Sequence, residues 1–436
     1  MNEKNVKEIV YETAKKLSDY DYLKEIVNDE KNYIKIENMR INPFNEASLS
    51  HGIPSLCMLY GELSEQYDND NWDMLAHEYI IKLGSYIENN SIVSLSMFSG
   101  IAGIALATVC MSKGGSRYKK FISNMNSLIK QNLKYLINDI SNKEYVNMDD
   151  YDIISGISGI ANYCILQIDE FEEELKLILK YIINLCENKI ANGLNVPGWY
   201  IPSENQFLEI DKKNWANGCF NIGLSHGIPA LLIVLSNAKK KNINVNGQDE
   251  CIDKISEFLI NFSIEDEDGC YWGSRVSFEE YSQNKVINKS TRDAWCYGTP
   301  GVAYSLLIAG SAKSNNIYTS YALKGMKTAI KRLKDIYSPT FCHGFSGIAY
   351  ISNRFYEETG LGEFKKSAVR LSEKVLNFYD KNLPLNFTNI EGEKENPDYY
   401  DYIGLIDGVA GVLLTLVAIE NGNKTPWDVA FGLGKV

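Results

Sequence analysis

Excess positive charge, long apolar runs and histidine are what this sequence has little of. Lys and Arg number 44 against 56 Asp and Glu, a formal net charge of −12. A nucleic-acid binder needs a basic stripe to neutralise phosphates, so that class is excluded. The longest apolar run, Gly408 to Ile419, is 12 residues, short of the roughly 18 a membrane span needs. The amino terminus reads MNEKNVKEIVYE, charged and polar, with no secretory pattern. That points to a cytoplasmic protein whose nine cysteines are thiols or metal ligands rather than a disulfide framework. Nine is odd, so they cannot all pair. Imidazole chemistry is confined to four residues: His51, His77, His226 and His343.

What is present is a globular composition, 45% hydrophobic and 23% charged, and an internal repeat. The 436 residues suit two or three ordinary domains or one large closed architecture. A glycine motif recurs as SHGIPS (Ser50 to Ser55), FSGIAG (Phe98 to Gly103), ISGISG (Ile154 to Gly159) and SHGIPA (Ser225 to Ala230). CYGTPG (Cys296 to Gly301), CHGFSG (Cys342 to Gly347) and IDGVAG (Ile406 to Gly411) complete the set. Twelve of the 32 glycines fall in these motifs, too ordered for chance loops. Where the second glycine is missing, Ser55 and Ala230 stand, so the position demands a small residue.

Each motif opens an apolar segment, such as IPALLIVLSNA or VAGVLLTLVAIE. A helix apolar nearly all round is buried on most faces. Before each motif runs a stretch such as EEELKLILKYIINLCEN, whose apolar positions recur at helical spacing with one wet face. The expected fold is all-α: an α/α toroid of seven inner and seven outer helices, forming one domain over residues 1–436. An open solenoid is the alternative. The buried inner set, with no polar capping repeat at either end, favours closure. Four loops between outer and inner helices are long, roughly 20–49, 188–222, 264–295 and 382–405. They join equivalent helix ends and so decorate one rim, with a small β-rich extension expected from 188–222 and 264–295. Function gathers where such loops gather.

In register, the residues before the first glycine are His51, Ser99, Ser155, His226, Tyr297, His343 and Asp407. One position earlier stand Ser50, Phe98, Ile154, Ser225, Cys296, Cys342 and Ile406. In a toroid these columns converge at one end of the axis. Cys296, Cys342 and His343 come from neighbouring repeats and could meet on one ion. Two thiolates and an imidazole suit Zn²⁺ and leave a fourth position open, as catalysis requires. Buried inert thiols are the alternative for Cys296 and Cys342, and the reading for the other seven cysteines. His226 and His51 share the pentapeptide SHGIP, so one of them could be a helix-start histidine bonded to backbone. Asp152, in YDIISG, could orient a histidine or stabilise its protonated form. Arg292, in TRDAWCYG, could stabilise a developing anion. Ordinary surface ion pairs are the alternative for both. His77, in LAHEYII, reads as structural.

The sevenfold repeat, with WCYGTPG (Trp295 to Gly301), FCHGFSG (Phe341 to Gly347) and GLSHG (Gly223 to Gly227), resembles the lanthionine synthetase C-like family over essentially the whole chain. Within it the chain looks like the free-standing lantibiotic cyclases. Bifunctional relatives carry a large dehydratase region first, whereas 51 residues precede Gly52 here. The resemblance implies an α/α toroid with one catalytic zinc on Cys296, Cys342 and His343. It further implies His226 as acid/base, Asp152 as its partner and Arg292 as a third catalytic residue.

The implied reaction adds a peptide Cys thiol across a dehydroalanine or dehydrobutyrine double bond, closing a thioether ring. The implied partners are a dehydrated precursor peptide, a dehydratase and an export transporter, in a complex at the membrane that the chain does not itself enter. Two other readings share the zinc residues or the fold: a zinc-dependent protein adding thiols such as glutathione, and a non-catalytic peptide-binding toroid. An α/α-barrel glycosidase would need paired rim carboxylates, and Asp152 and Asp407 lie four repeats apart.

Overall fold

The computed structural model describes residues 5–37, 39–67, 70–92, 94–289 and 291–436. In chain order the helices begin α1 (Val6–Lys16), α2 (Tyr20–Val27), α3 (Ile53–Gln66), α4 (Trp72–Asn89), α5 (Ile101–Cys110) and α6 (Lys119–Ser141). They continue α7 (Ile157–Leu166), α8 (Ile168–Cys186), α9 (Glu209–Asn214), α10 (Ile228–Lys240), α11 (Gln248–Asn261) and α12 (Phe278–Gln283). The last are α13 (Thr299–Lys313), α14 (Asn316–Arg332), α15 (Phe345–Thr359), α16 (Gly362–Leu376) and α17 (Val409–Asn421). Among the described residues no helix is long and apolar enough to cross a membrane.

The seven inner helices are α3, α5, α7, α10, α13, α15 and α17, and each begins directly after the first glycine of a motif. Their apolar sequences have the expected consequence. Every residue of α17 from Val409 to Ile419 is buried, each large side chain contributing about 1.5–3 kcal/mol of transfer free energy. The outer set, α1, α4, α6, α8, α11, α14 and α16, buries one stripe. In α8 that stripe is Phe171, Leu175, Ile178, Leu179, Ile182 and Leu185, at the spacing of one helix face.

The chain forms two compact units. Unit 1 comprises residues 1–94, 98–126 and 335–427; unit 2 comprises 95–97, 127–334 and 428–436. In unit 2 the inner helices α7, α10 and α13 pack side by side. In unit 1, α15 packs on α17, α17 on α3, and α3 on α5. The last repeat of the chain therefore sits beside the first. The backbone records the same order: Cys342 N–H donates to Ile406 O at 3.0 Å, and Ser50 N–H to Phe98 O at 3.2 Å. Ile406 N–H, between them, reaches Ser50 O at 3.5 Å. An open solenoid would hold its first and last repeats apart.

The long loops differ in detail from expectation. The 20–49 stretch starts with α2, a helix the sequence pattern did not separate from the loop. Asp19 caps it and only Leu23 and Val27 are buried, too short a pattern to read. It is followed by the hairpin of β1 (Ile34–Ile36) and β2 (Met39–Ile41). The 188–222 loop holds β3 (Asn188–Ala191), β4 (Leu194–Pro197) and β5 (Cys219–Asn221). The 264–295 loop holds β6 (Ile264–Asp266), β7 (Gly269–Tyr271) and β8 (Arg275–Ser277). Antiparallel pairing of β5 with β8, Phe220 opposite Val276, ties these two insertions together. In unit 1, β9 (Asn389–Glu393) and β10 (Asn396–Tyr400) form the hairpin of the fourth long loop.

Candidate active site

In unit 2 the motif residues are positioned by backbone stitching between neighbouring repeats. Ile153 N–H donates to Ser225 O, and Ser225 N–H to Cys296 O, both at 3.1 Å. The Ser225 hydroxyl lies 3.2 Å from the same Cys296 carbonyl. This brings Asp152, ahead of α7, to His226, ahead of α10. Asp152 Oδ1 accepts from the amides of Ser155 and Gly156, each at 2.7 Å. Its Oδ2 lies 2.5 Å from His226 Nδ1. The carboxylate is fully buried, while the imidazole is 25% exposed. Asp152 thus fixes the proton on Nδ1, and the tautomer or charge of the ring is set from that side, with Nε2 outside this contact.

Burial pushes the His226 pKa down, but the hydrogen bond and charge of Asp152, with Asp149 and Cys296, outweigh it and the net shift is upward. Asp149 is drawn into the same group, with Asp149, Asp152 and His226 each offering an atom within 4.8 Å of the others. Its own pKa is raised, by burial of the carboxyl first and then by the Asp152 charge.

Cys296, at 6% exposure, ends the approach to α13. The chain turns there through Gly298, whose φ of +89° favours glycine, and a Cβ would fall 1.6 Å from Arg292 O. Tyr297 lies over the His226 ring with centroids 6.1 Å apart, and its hydroxyl is 3.3 Å from Asn221 Nδ2. Arg292 is half-buried in the same loop. Among the described residues it makes no side-chain hydrogen bond or ion pair to Asp152, His226 or Cys296.

Unit 1 holds Cys342 and His343, directly before Gly344 and α15. The imidazole of His343, 9% exposed, lies between two carboxylates. Its Nε2 is 2.7 Å from Glu391 Oε1 and its Nδ1 is 3.7 Å from Asp407 Oδ1. His51 reaches the other Asp407 oxygen at 4.0 Å and stands edge-on to Tyr402. Burial pushes the His51 pKa down to about 4, Glu391 offsetting only part of it. The two SHGIP histidines are therefore opposites in charge preference. His77 is exposed and its ring nitrogen pairs with the Tyr118 hydroxyl at 3.0 Å, a surface contact.

Of the six residues singled out in the sequence, Asp152, His226, Arg292 and Cys296 belong to unit 2, and Cys342 and His343 to unit 1. Asp152 and His226 are joined directly. Sequence reasoning missed Asp149 and Glu391. Asp149 belongs to the acidic run MDDYD, a signal that was there to read. Glu391 had none, being one acid among several in its loop. One expectation is corrected: Cys186 of α8 and Cys251 of α11, both read as packing thiols, form a disulfide with Cα atoms 5.9 Å apart, a normal separation. Their sequence separation is 65 residues, so nothing local announced the pairing.

Comparison with known proteins places this arrangement. The model of the family "Lanthionine synthetase C-like protein" matches residues 43–431. The nisin biosynthesis protein NisC of Lactococcus lactis subsp. lactis is 28% identical over 392 residues, 89% of each chain. A solved structure of nisin cyclase superposes with a TM-score of 0.81 at 27% identity, covering 97% of both chains, which gives the fold class as an α/α toroid. The chain belongs to the lanthionine synthetase C-like family.

Proposed function

We propose that this protein is a lanthipeptide cyclase, closing thioether rings by adding Cys thiols of a precursor peptide to its dehydroalanine and dehydrobutyrine residues. The match of residues 43–431 to the family carries this reading. Cys296, Cys342 and His343 would hold one zinc ion, the ligand set supported by motif register and by donor chemistry. Two thiols and an imidazole, gathered at helix-opening glycines, are a zinc donor set with one position left over. When bound, zinc there supplies Lewis acidity, lowering the pKa of a peptide thiol from its usual value near ~8.5.

The chain's own residues account for the proton. Addition at Cβ leaves negative charge on the dehydro-residue, and Cα must be protonated. His226 is built to do this: Asp152 occupies Nδ1 and favours the imidazolium, and Nε2 is left to give its proton. The thiol surrenders one proton and Cα takes one, so each ring closes without net proton uptake. Arg292, four residues before Cys296, would stabilise the transient anion. By family resemblance the enzyme works in the cytoplasm as one domain over residues 1–436, beside a dehydratase and an export transporter.

The test is incubation with a dehydrated, Cys-containing precursor peptide, reading loss of free thiol at unchanged mass, with metal analysis alongside. Wild type should cyclise and carry one zinc. Cys342→Ala should lose both, and His226→Ala should keep zinc while cyclising about 10²–10⁴-fold more slowly. Cyclisation and zinc both retained in Cys342→Ala would defeat the reading.

A further inference from the structure

The fourth long loop has no part in the chemistry above, yet its hairpin brings a carboxylate to His343. Glu391 Oε1 lies 2.7 Å from His343 Nε2. The carboxylate is itself held, with Asn389 Nδ2 donating to the same oxygen at 2.9 Å. Asn389 is 2% exposed. Its Oδ1 accepts from the hydroxyls of Ser338 and Thr340 at 3.0 and 3.1 Å, and Ser338 Oγ in turn accepts from Ile390 N–H at 3.2 Å. Ser338 and Thr340 belong to the segment that runs into Cys342 and His343. The start of β9 is thus fastened, through a buried amide and two buried hydroxyls, to the loop that carries two of the proposed metal ligands.

A metal-bound histidine gives one ring nitrogen to the ion and donates the other N–H to an oxygen, most often a carboxylate, which fixes the tautomer and strengthens the ligand. Two carboxylates could serve His343. Asp407 stands 3.7 Å from Nδ1, too far for a direct hydrogen bond. Glu391 Oε1 stands in an ion-pair contact with Nε2 at 2.7 Å, and Asn389 holds that oxygen in place.

We propose that Glu391 is a positioning residue for His343, accepting a hydrogen bond from the Nε2 proton and so assigning Nδ1 to the metal. This rests on the zinc ligand set proposed above. The β9–β10 hairpin thereby acquires a role, presenting a preorganised acceptor to a ligand in the preceding repeat. Glu391→Gln keeps the size and an oxygen but loses the charge.

Two measurements test it. In the full-length protein, the zinc dissociation constant of Glu391→Gln, from chelator competition, should rise about 10–100-fold, with thermal unfolding of the apo-protein used to check the fold. In wild type labelled with ¹⁵N-histidine and loaded with ¹¹³Cd²⁺, the metal coupling should appear on Nδ1 of His343, with the proton on Nε2. This second readout needs no variant at Glu391. Coupling on Nε2, or a Glu391→Gln affinity within about threefold of wild type, would overturn the proposal. Cys342→Ala separates the two levels. If it binds zinc as wild type does, the ligand set is wrong; if it loses zinc while Glu391→Gln does not weaken, only the role of Glu391 is wrong.

Discussion

His51 and His226 stand in identical pentapeptides at equivalent points of two repeats, and their environments give them opposite chemistry. Burial lowers the pKa of both. His226 has Asp152 at 2.5 Å to reverse the effect, whereas His51 reaches an Asp407 oxygen only at 4.0 Å and stays down at about 4. Only His226 is therefore equipped to carry a proton near neutral pH. The consequence for activity has a definite sign. In the proton-donor role proposed for His226 the acting form is the imidazolium, so cyclisation should fall as pH rises through the His226 pKa, which Asp152 holds above the ordinary ~6.5. In Asp152→Asn the burial penalty remains, and Asp149 and Cys296 are the groups left to oppose it. The alkaline limb of kcat should then move to lower pH, with the rate at pH ~8 reduced most. A limb that stays in place in Asp152→Asn would assign the titration to another group.

At the level of helices and loops, the motif's second glycine is decided by space rather than by backbone conformation. A Cβ on Gly159 would lie 2.3 Å from Ile153 O and 2.7 Å from the Met97 side chain, and the first of these is backbone that cannot swing away. Gly159→Ala should cost about 1–3 kcal/mol or more by overpacking, read as a lower urea midpoint at unchanged slope. Gly84→Ala is its control, since nothing lies within 4 Å of that position, and a helix interior gains from alanine. Crowding of this kind recurs at Gly301 and Gly411, and it is why the inner helices could be read from sequence: a demand for a small residue at one point of every repeat leaves a periodic trace. The strands left only a coarse one, the β-rich character expected of the 188–222 and 264–295 loops. They are three to five residues long, too short for alternation to register, and β5 finds its partner β8 in a different long loop. The same physics divides the site. Asp152 could be found because it sits at a fixed offset from a motif glycine. Glu391 could not, because which loop carboxylate meets His343 depends on how Asn389, Ser338 and Thr340 anchor a hairpin.

Closure of the repeat array adds a requirement that no single repeat can meet, since the first and last repeats must recognise each other across almost the entire chain. In unit 1 that recognition is polar and buried. Glu62, in α3 of the first repeat, is fully buried. Its Oε1 accepts from Gln66 Nε2 at 2.7 Å and from Lys424 N–H at 2.9 Å. Its Oε2 accepts from the amide and hydroxyl of Thr425 at 2.7 and 2.6 Å. Gln66 adds a bond to Gly422 O at 2.6 Å. A carboxylate in the first repeat therefore satisfies the backbone just past α17, 362 residues on. A buried charge costs several kcal/mol in desolvation and is tolerated only when its acceptors are filled. The cost of disturbing it is asymmetric, because each donor left unpaired inside adds about 1–3 kcal/mol. Glu62→Ala strands the buried amide and hydroxyl of Thr425 at once and releases the Lys424 amide, so a loss of about 3 kcal/mol or more is expected, far beyond a typical surface Glu. Hydrogen exchange locates the damage: the amides of Lys424 and Thr425 should lose protection first, while those of α10 and α13 in unit 2 keep theirs at low denaturant. A change within about 0.5 kcal/mol, or uniform loss of protection across both units, would mean that packing of α17 against α3 holds the ends together without this carboxylate.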